Sequence, residues 1–257
     1  MTEEALLELA AGLALQAAEI ILAIRARGFA VSRKADRSVV TEADQAAETL
    51  IAAGLLAAAP EIPVVAEEAV AAGAVHVASP RFWLVDPLDG TREFTDGSDD
   101  FAVNIGLVSD RRIRLGVVGV PATGELFGGI VGAGAWKRHR GTQTPVHARA
   151  VPAEGLTVLA SRHHGDAERL KTFLAGRVVA KTVNFGSSLK FCRLAEGLAD
   201  LYPRFGRTME WDTAAPQAVL EAAGGAVTTL DGLPLLYGKP DWENPHFVCT
   251  GIPLRNP

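Results

Sequence analysis

Apolar positions recur with two different periods along this chain, and the change between them organises it. From Ala5 to Ile24, Leu, Ile and Ala recur at helical spacing around Glu8, Gln16 and Glu19. That spacing predicts an amphipathic helix ending near Arg25–Gly28. Ser38-Val39-Val40-Thr41-Glu42-Ala43-Asp44 leads into a second alanine-rich helix, Gln45 to Ala59, closed by Pro60 and Pro63. Short apolar runs then take over. Val64–Ala66, residues 82–86, Phe101–Leu107, Leu115–Val120 and Leu126–Ile130 read as strands, the later ones as a meander with turn signals between them. Gly132 to Gly141 is a glycine- and charge-rich hairpin region.

From about residue 152 strands and helices alternate. Leu156–Ala160, Val178–Val183, Leu198–Tyr202, Gly225–Thr229 and Phe247–Thr250 read as strands. Asp166–Ala175, Leu189–Gly197 and Asp212–Ala223 read as helices. Helices, then a meander, then a βαβ-like half imply layered α and β structure in two packed lobes, 1–151 and 152–257.

A chain of 257 residues, 48% hydrophobic and 21% charged, buries a sizeable core as an ordinary globular protein. Its net charge of −5 argues against a broad surface for a nucleic-acid polymer. A small anionic substrate remains compatible, given metal ions or a local cationic pocket. Cys192 and Cys249 make no disulfide framework and fit a reducing, cytoplasmic setting. Glu3 and Glu4 precede the first apolar run where a signal peptide carries positive charge, and polar residues interrupt it, so no membrane span is expected.

The chemistry concentrates at Asp86-Pro87-Leu88-Asp89-Gly90-Thr91, where a buried strand runs into two carboxylates. Such a strand end is costly to bury without a cation. Pro87 pushes Asp86 to extended geometry, which predicts that the strand ends there, and Gly90 permits a tight turn. Asp86 and Asp89, with a backbone carbonyl between them, are hard oxygen ligands of the kind Mg²⁺ takes. Asp44, Glu67/Glu68 and Asp212 supply further carboxylates. Helix N-capping competes as the explanation for Asp212, and a solvated strand end for Glu67 and Glu68. Taken together, Glu67, Asp86, Asp89, Asp212 and the Leu88 carbonyl would hold two or three Mg²⁺ ions. A pair of ions roughly 3.5–4 Å apart activates water and stabilises the leaving oxygen of a phosphate ester. Gly90 and Thr91 would offer backbone N–H groups to phosphate, and Thr91 with Asp44 would pass on a proton.

The Asp86–Thr91 motif preceded by Trp83-Leu84-Val85, with Glu67-Glu68 upstream and Trp211-Asp212-x-x-Ala215 downstream, resembles the inositol monophosphatase superfamily over essentially the whole chain. The resemblance implies the layered α/β/α/β/α sandwich of the sugar phosphatases, an α+β fold, and a Mg²⁺-dependent, typically lithium-sensitive phosphatase. It implies Glu67, Asp86, Asp89, Asp212 and the Leu88 carbonyl as metal ligands, with Glu67 preferred over Glu68. Thr91 and Asp44 match the water-activating pair, with Glu67 also at the reaction centre.

Ala160-Ser161-Arg162-His163-His164, Gly186-Ser187-Ser188-Leu189-Lys190-Phe191-Cys192 and Leu201-Tyr202-Pro203-Arg204-Phe205-Gly206 are similar to the 3′(2′),5′-bisphosphate nucleotidases of that superfamily. Thr91-Arg92-Glu93-Phe94 fits the same group. This likeness implies adenosine 3′,5′-bisphosphate as substrate, hydrolysed to AMP by in-line attack of a metal-activated water. A second phosphate away from the metals needs its own donors. Ser187 and Lys190, on one face of a helix or its first turn, and Arg204, a bidentate donor, suit it. Ser161 and His164 complete the substrate set with Gly90, Thr91 and Asp212. His163 stands where the family usually has serine, which leaves open which imidazole points inward. Ordinary surface cations are the competing account of Lys190 and Arg204, and core packing that of Tyr202 and Phe205. The acidic run Thr95–Asp100 reads as a solvated loop. Inositol monophosphate and fructose 1,6-bisphosphate are the alternative substrates. A non-catalytic metal- or nucleotide-binding relative is the rival of another class, and the complete acidic set argues against it. The chain is expected to act as a monomer or homodimer.

Overall fold

A computed structural model describes residues 1–33, 39–73, 79–161 and 166–252. The Thr2 hydroxyl accepts a hydrogen bond from the Ala5 N–H at 3.2 Å and caps α1 (Glu3–Arg27), which Gly28 closes at φ 82°. By length and apolarity α1 resembles a membrane-crossing helix, yet Leu6, Ala10, Ala14, Ala17 and Ile21 are buried within the protein. The ribbon β1 (Val31–Arg33) and β2 (Val39–Thr41) leads to α2 (Glu42–Ala58). This helix begins three residues earlier than its alanine pattern predicts, because Thr41 and Asp44 form a capping box.

Next come β3 (Val64–Ala66), α3 (Glu67–Ala71), β4 (Arg81–Asp89), α4 (Thr91–Thr95), β5 (Ala102–Ser109), β6 (Arg112–Val120) and β7 (Glu125–Ile130). The glycine-rich hairpin region forms β8 (Gly134–His139), which pairs with β9 (Thr142–Val146). Strands β3 to β9 make one seven-stranded sheet in chain order, parallel only at β3–β4. The second half supplies β10 (Leu156–Ser161), α5 (Ala167–Leu174), β11 (Val179–Phe185), α6 (Leu189–Ala195), β12 (Leu201–Arg204), α7 (Glu210–Ala222), β13 (Ala226–Thr229) and β14 (Phe247–Thr250). Its five strands run β11-β10-β12-β14-β13.

Side-chain burial sets the layers. Val85, Val103, Ile105, Leu107 and Val117 face α1 and α2. On the opposite face Val118, Val120 and Phe127 share a core with α6, α7 and the inner face of the five-stranded sheet. Leu170, Phe173 and Leu174 of α5 cover Leu156, Val158 and Leu201 on its outer face. The result is the α/β/α/β/α sandwich that the resemblance implied.

Two strand and helix ends differ from expectation, and both matter for the site. β4 continues past Asp86 to Asp89, because its pairing with β5 slips there: Asp86 faces Asn104 and Asp89 faces Ala102. That bulge absorbs Pro87, which has no N–H to give the ladder. Helix α7 starts at Glu210, so Asp212 is its third residue and Met209 occupies the N-cap position expected of Asp212.

Helix α7 lies directly on backbone. Gly106, Gly116 and Gly129 are paired across β5, β6 and β7 in a single row. A Cβ on Gly116 would sit 2.4 Å from the Ala215 carbonyl oxygen and 2.6 Å from its Cα. On Gly106 it would sit 2.8 Å from the Ala215 nitrogen, and on Gly129 2.8 Å from the Ala222 methyl. No side chain can give way at Gly116, so the whole helix must move. We predict that Gly116→Ala costs about 1–3 kcal/mol in denaturant unfolding, the range for overpacking a close-fitted core. Stability equal to wild type would show that α7 rides the sheet more loosely than its contacts imply.

Candidate metal centre and active site

Strand pairing and the seating of α7 bring distant carboxylates together. β3 runs parallel to β4 with Ala66 opposite Val85, so Glu67, the next residue, emerges beside Asp86. Asp212 arrives from α7 above the glycine row. Carboxylate oxygens of Glu67, Asp86 and Asp212 all lie within 4.8 Å of one another. Asp86 Oδ1 accepts from the Leu88 N–H at 3.0 Å, and Asp212 Oδ2 from the Met209 N–H at 2.9 Å. Burial, then the charges of Glu67, Asp89 and Asp212, push the Asp86 carboxyl well above its ordinary range. Burial, then Asp89 and Glu67, raise Asp212 likewise. Three such groups cannot all be ionised comfortably without a cation, and an all-oxygen donor set suits Mg²⁺. Asp89 lines the same cavity, and its Oδ2 accepts from the Ser188 N–H.

Asp44 serves two neighbours. Its Oδ2 accepts from the Thr41 N–H and hydroxyl, each at 2.7 Å, while its Oδ1 faces Thr91 Oγ1 at 2.9 Å. Thr91 Oγ1 also lies 3.0 Å from the Leu88 carbonyl. Burial raises the Asp44 carboxyl against the lowering effect of these bonds. Gly90 adopts φ 89°, and a Cβ there would come within 3.0 Å of the Asp100 carbonyl. The turn thus needs glycine twice over.

Glu67, Asp86, Asp89, Gly90, Thr91 and Asp212 open on one cavity of about 300 Å³. Asp44 is bonded to Thr91 rather than among the residues lining that cavity, and the further lining includes Ser161, Ser187, Lys190, Tyr202 and Arg204. Ser187 is not on the helix with Lys190, as spacing suggested. It stands before α6 in a left-handed turn at φ 44°, and Lys190 Nζ reaches back to the carbonyls of Ser187 and Phe185. Burial first of all pushes Lys190 down to about 8. Arg204 donates from Nη1 to Ser161 Oγ at 3.1 Å and from Nη2 to the Arg207 carbonyl at 2.8 Å. Both cations are therefore buried and engaged rather than ordinary surface charges. His164, with His163, lies outside the described residues. Tyr202 packs edge-on against Phe191 and Phe247, whereas Phe205 packs against Phe173.

The acidic run 95–100 is more tightly held than a solvated loop. Arg25 binds the Ser98 carbonyl at 2.9 Å and Asp99 at 3.0 Å, and Asp100 accepts from the Gly186 N–H at 3.2 Å. Arg207 and Thr208 also line the cavity, and sequence spacing singled out neither.

A family model for the inositol monophosphatase family matches residues 2–250. The 3′(2′),5′-bisphosphate nucleotidase CysQ of Shigella flexneri is 45% identical over 218 residues, 84% of this chain and 87% of its own. Among solved structures, CysQ from Bacteroides thetaiotaomicron superposes with a TM-score of 0.80 at 35% identity, covering 97% of this chain and 98% of that one. An inositol monophosphatase from Zymomonas mobilis gives 0.80 at 27% identity, over 98% and 94%.

If mutual repulsion dominates the carboxylate cluster, Asp212→Asn stabilises the metal-free protein while removing its response to Mg²⁺. Thermal unfolding in chelator is expected to rise by roughly 2–4 °C, the equivalent of about 1 kcal/mol for a chain of this size. Metal-free wild type loses stability as pH rises above the ordinary carboxylate value, since the native state holds protons the unfolded state releases. The variant flattens that slope. A lower melting temperature in chelator, with Mg²⁺ stabilisation retained, would contradict the assignment.

Proposed function

The chain belongs to the inositol monophosphatase family, and from that premise we propose that it is a Mg²⁺-dependent phosphatase that converts adenosine 3′,5′-bisphosphate to AMP and phosphate. One observation carries this reading: the acidic cluster and the buried cations Lys190 and Arg204 face a single cavity. Such a cavity suits a substrate with one phosphate for the metals and another for the protein. The likeness to bisphosphate nucleotidases over most of the chain supports the same substrate.

Glu67, Asp86, Asp89, Asp212 and the Leu88 carbonyl are the groups that would hold two or three Mg²⁺ ions. Bound there, Mg²⁺ lowers the pKa of water and offsets charge on the phosphoryl oxygens. The chain's own contribution is positional. Thr91 Oγ1 takes a proton from the attacking water and relays it to Asp44 Oδ1, whose raised carboxyl makes it a better base. Water adds to the 3′-phosphorus as the bond to the ribose 3′-oxygen breaks; that oxygen takes a proton from solvent as it leaves, and the proton passed to Asp44 returns to solvent. Backbone N–H groups at Gly90 and Thr91 orient the phosphate for in-line attack. Ser161, Ser187, Lys190 and Arg204 address the phosphate that stays. We place the enzyme in the cytoplasm, where its buried free thiols Cys192 and Cys249 remain reduced.

Side-by-side kcat/KM values with Mg²⁺ test the substrate, with adenosine 3′,5′-bisphosphate expected to exceed inositol 1-phosphate and fructose 1,6-bisphosphate. A higher value for either sugar phosphate would overturn the assignment, and chelator should abolish turnover of all three. Thr91→Val tests the relay. It is expected to lower kcat by about 10²–10⁴-fold, the span for general-base catalysis, with the Mg²⁺-induced rise in Tm intact. Retained kcat would exclude Thr91 from proton transfer.

A further inference from the structure

We infer that Glu48 is a positioning residue of the metal centre: from α2 it caps the first turn of α3, and so fixes the direction in which Glu67 reaches its cation. This rests on the reading of Glu67 as a Mg²⁺ ligand given above, and adds to it an acid whose role the carboxylate motifs do not reveal.

Glu48 is buried, yet it is not among the residues that line the cavity. Its carboxylate is turned to backbone instead. Oε2 accepts from the Glu68 N–H at 2.7 Å, and Oε1 from the Ala69 N–H at 2.8 Å. These are the second and third residues of α3, where N–H groups have no acceptor within their own helix. A serine, threonine or acid just ahead of a helix commonly supplies one. Here that position is held by Ala66, which has no side-chain oxygen to give. The cap comes from a residue 20 positions before Glu68 in the chain. Two N–H groups side by side at a helix start suit an ionised carboxylate, which takes both at once.

The place of Glu67 follows from two anchors. Ala66, on one side, is paired with Val85 in the β3–β4 ladder, and the Glu68 N–H, on the other, is held by Glu48. Glu67 is the single residue between them, so the backbone from which its side chain leaves is set from both directions. Helix α3 brings little packing of its own, being five residues long with none of them buried. Helix α2 is a firm support, with Ala47, Ile51 and Leu55 fully buried in the core. Asp44 lies four residues before Glu48, on the same face of α2, and is bonded to Thr91. One helix thus registers the proton-relay base directly and a metal ligand through α3.

Calorimetric titration of the substrate-free protein with Mg²⁺ tests this. Glu48→Ala is expected to raise the apparent Mg²⁺ Kd about tenfold, the low end of what losing the support of a metal ligand costs. At saturating Mg²⁺ its KM for adenosine 3′,5′-bisphosphate should equal that of wild type, since Glu48 does not reach the cavity. In a Glu67→Gln background, where an oxygen remains but the carboxylate is lost, Glu48→Ala should bring no further loss of Mg²⁺ affinity. Glu48→Gln keeps one accepting oxygen and should lose less than the alanine variant; it serves the same cycle if the alanine variant does not fold. Unchanged Mg²⁺ affinity, or equal losses with the Glu67 carboxylate present and absent, would overturn the inference while the metal centre stands. A Glu67→Gln protein that binds Mg²⁺ as wild type does would overturn both.

Discussion

The contact between α7 and the glycine row of the seven-stranded sheet is the constraint on which the rest of the structure depends. Helices usually pack on sheets through a layer of side chains, which can adjust. Here the Ala215 backbone meets the position of a missing Cβ on Gly116. Asp212 lies less than one turn ahead of that contact, on the same rigid helix. Its separation from Asp86 is therefore fixed by backbone approach rather than by rotamers. The same helix faces the five-stranded sheet, with Val219 and Leu220 in the core shared by both.

That rigidity holds together groups that repel. Asp86 and Asp212 are held against each other's charge and that of Glu67, and the raised carboxyls of Asp86 and Asp212 record it. The strain is balanced by ordinary packing at a distance and by an ion network tying the sheet to α6. Arg193 binds Glu125 at 2.7 Å, and Lys137 binds Glu196 at 2.7 Å. Burial alone would raise the Glu125 carboxyl, but hydrogen bonds from Arg193 and Lys137 outweigh it and bring it down to about 2. One cluster of acids is thus matched by cations of the protein itself, whereas the other gathers like charges and is suited to a bound cation.

Much of this was legible in the chain, for reasons that differ by element. Strands β3 and β14 have their expected bounds, and α1 is close to its own, because apolar pattern and terminating residues agree there. The Asp86–Thr91 turn was legible because acids beside Pro and Gly at a buried strand end have few structural explanations. Local propensity misplaced Asp212, since an acid two residues into a helix looks like one at its cap. The β4 bulge was hidden because Pro87 looks like a terminator until the neighbouring strand is known. Ser187 is placed by a left-handed turn that serine does not advertise. Arg207 and Thr208 left no signal at all, because the lining of a cavity is visible only once the elements around it are in place.

The glycine row also decides where the enzyme is free to change. A contact made of main chain offers no side chain to substitute, so the metal end of the cavity has almost no sequence alternatives. The opposite wall, from Ser187 to Thr208, is built of side chains on a turn, a short helix and a strand end. Residues there can be exchanged without altering the spacing of Glu67, Asp86 and Asp212. Retargeting such an enzyme to another phosphate ester is therefore a problem of re-lining one wall, with the hydrolytic end inherited as a fixed unit.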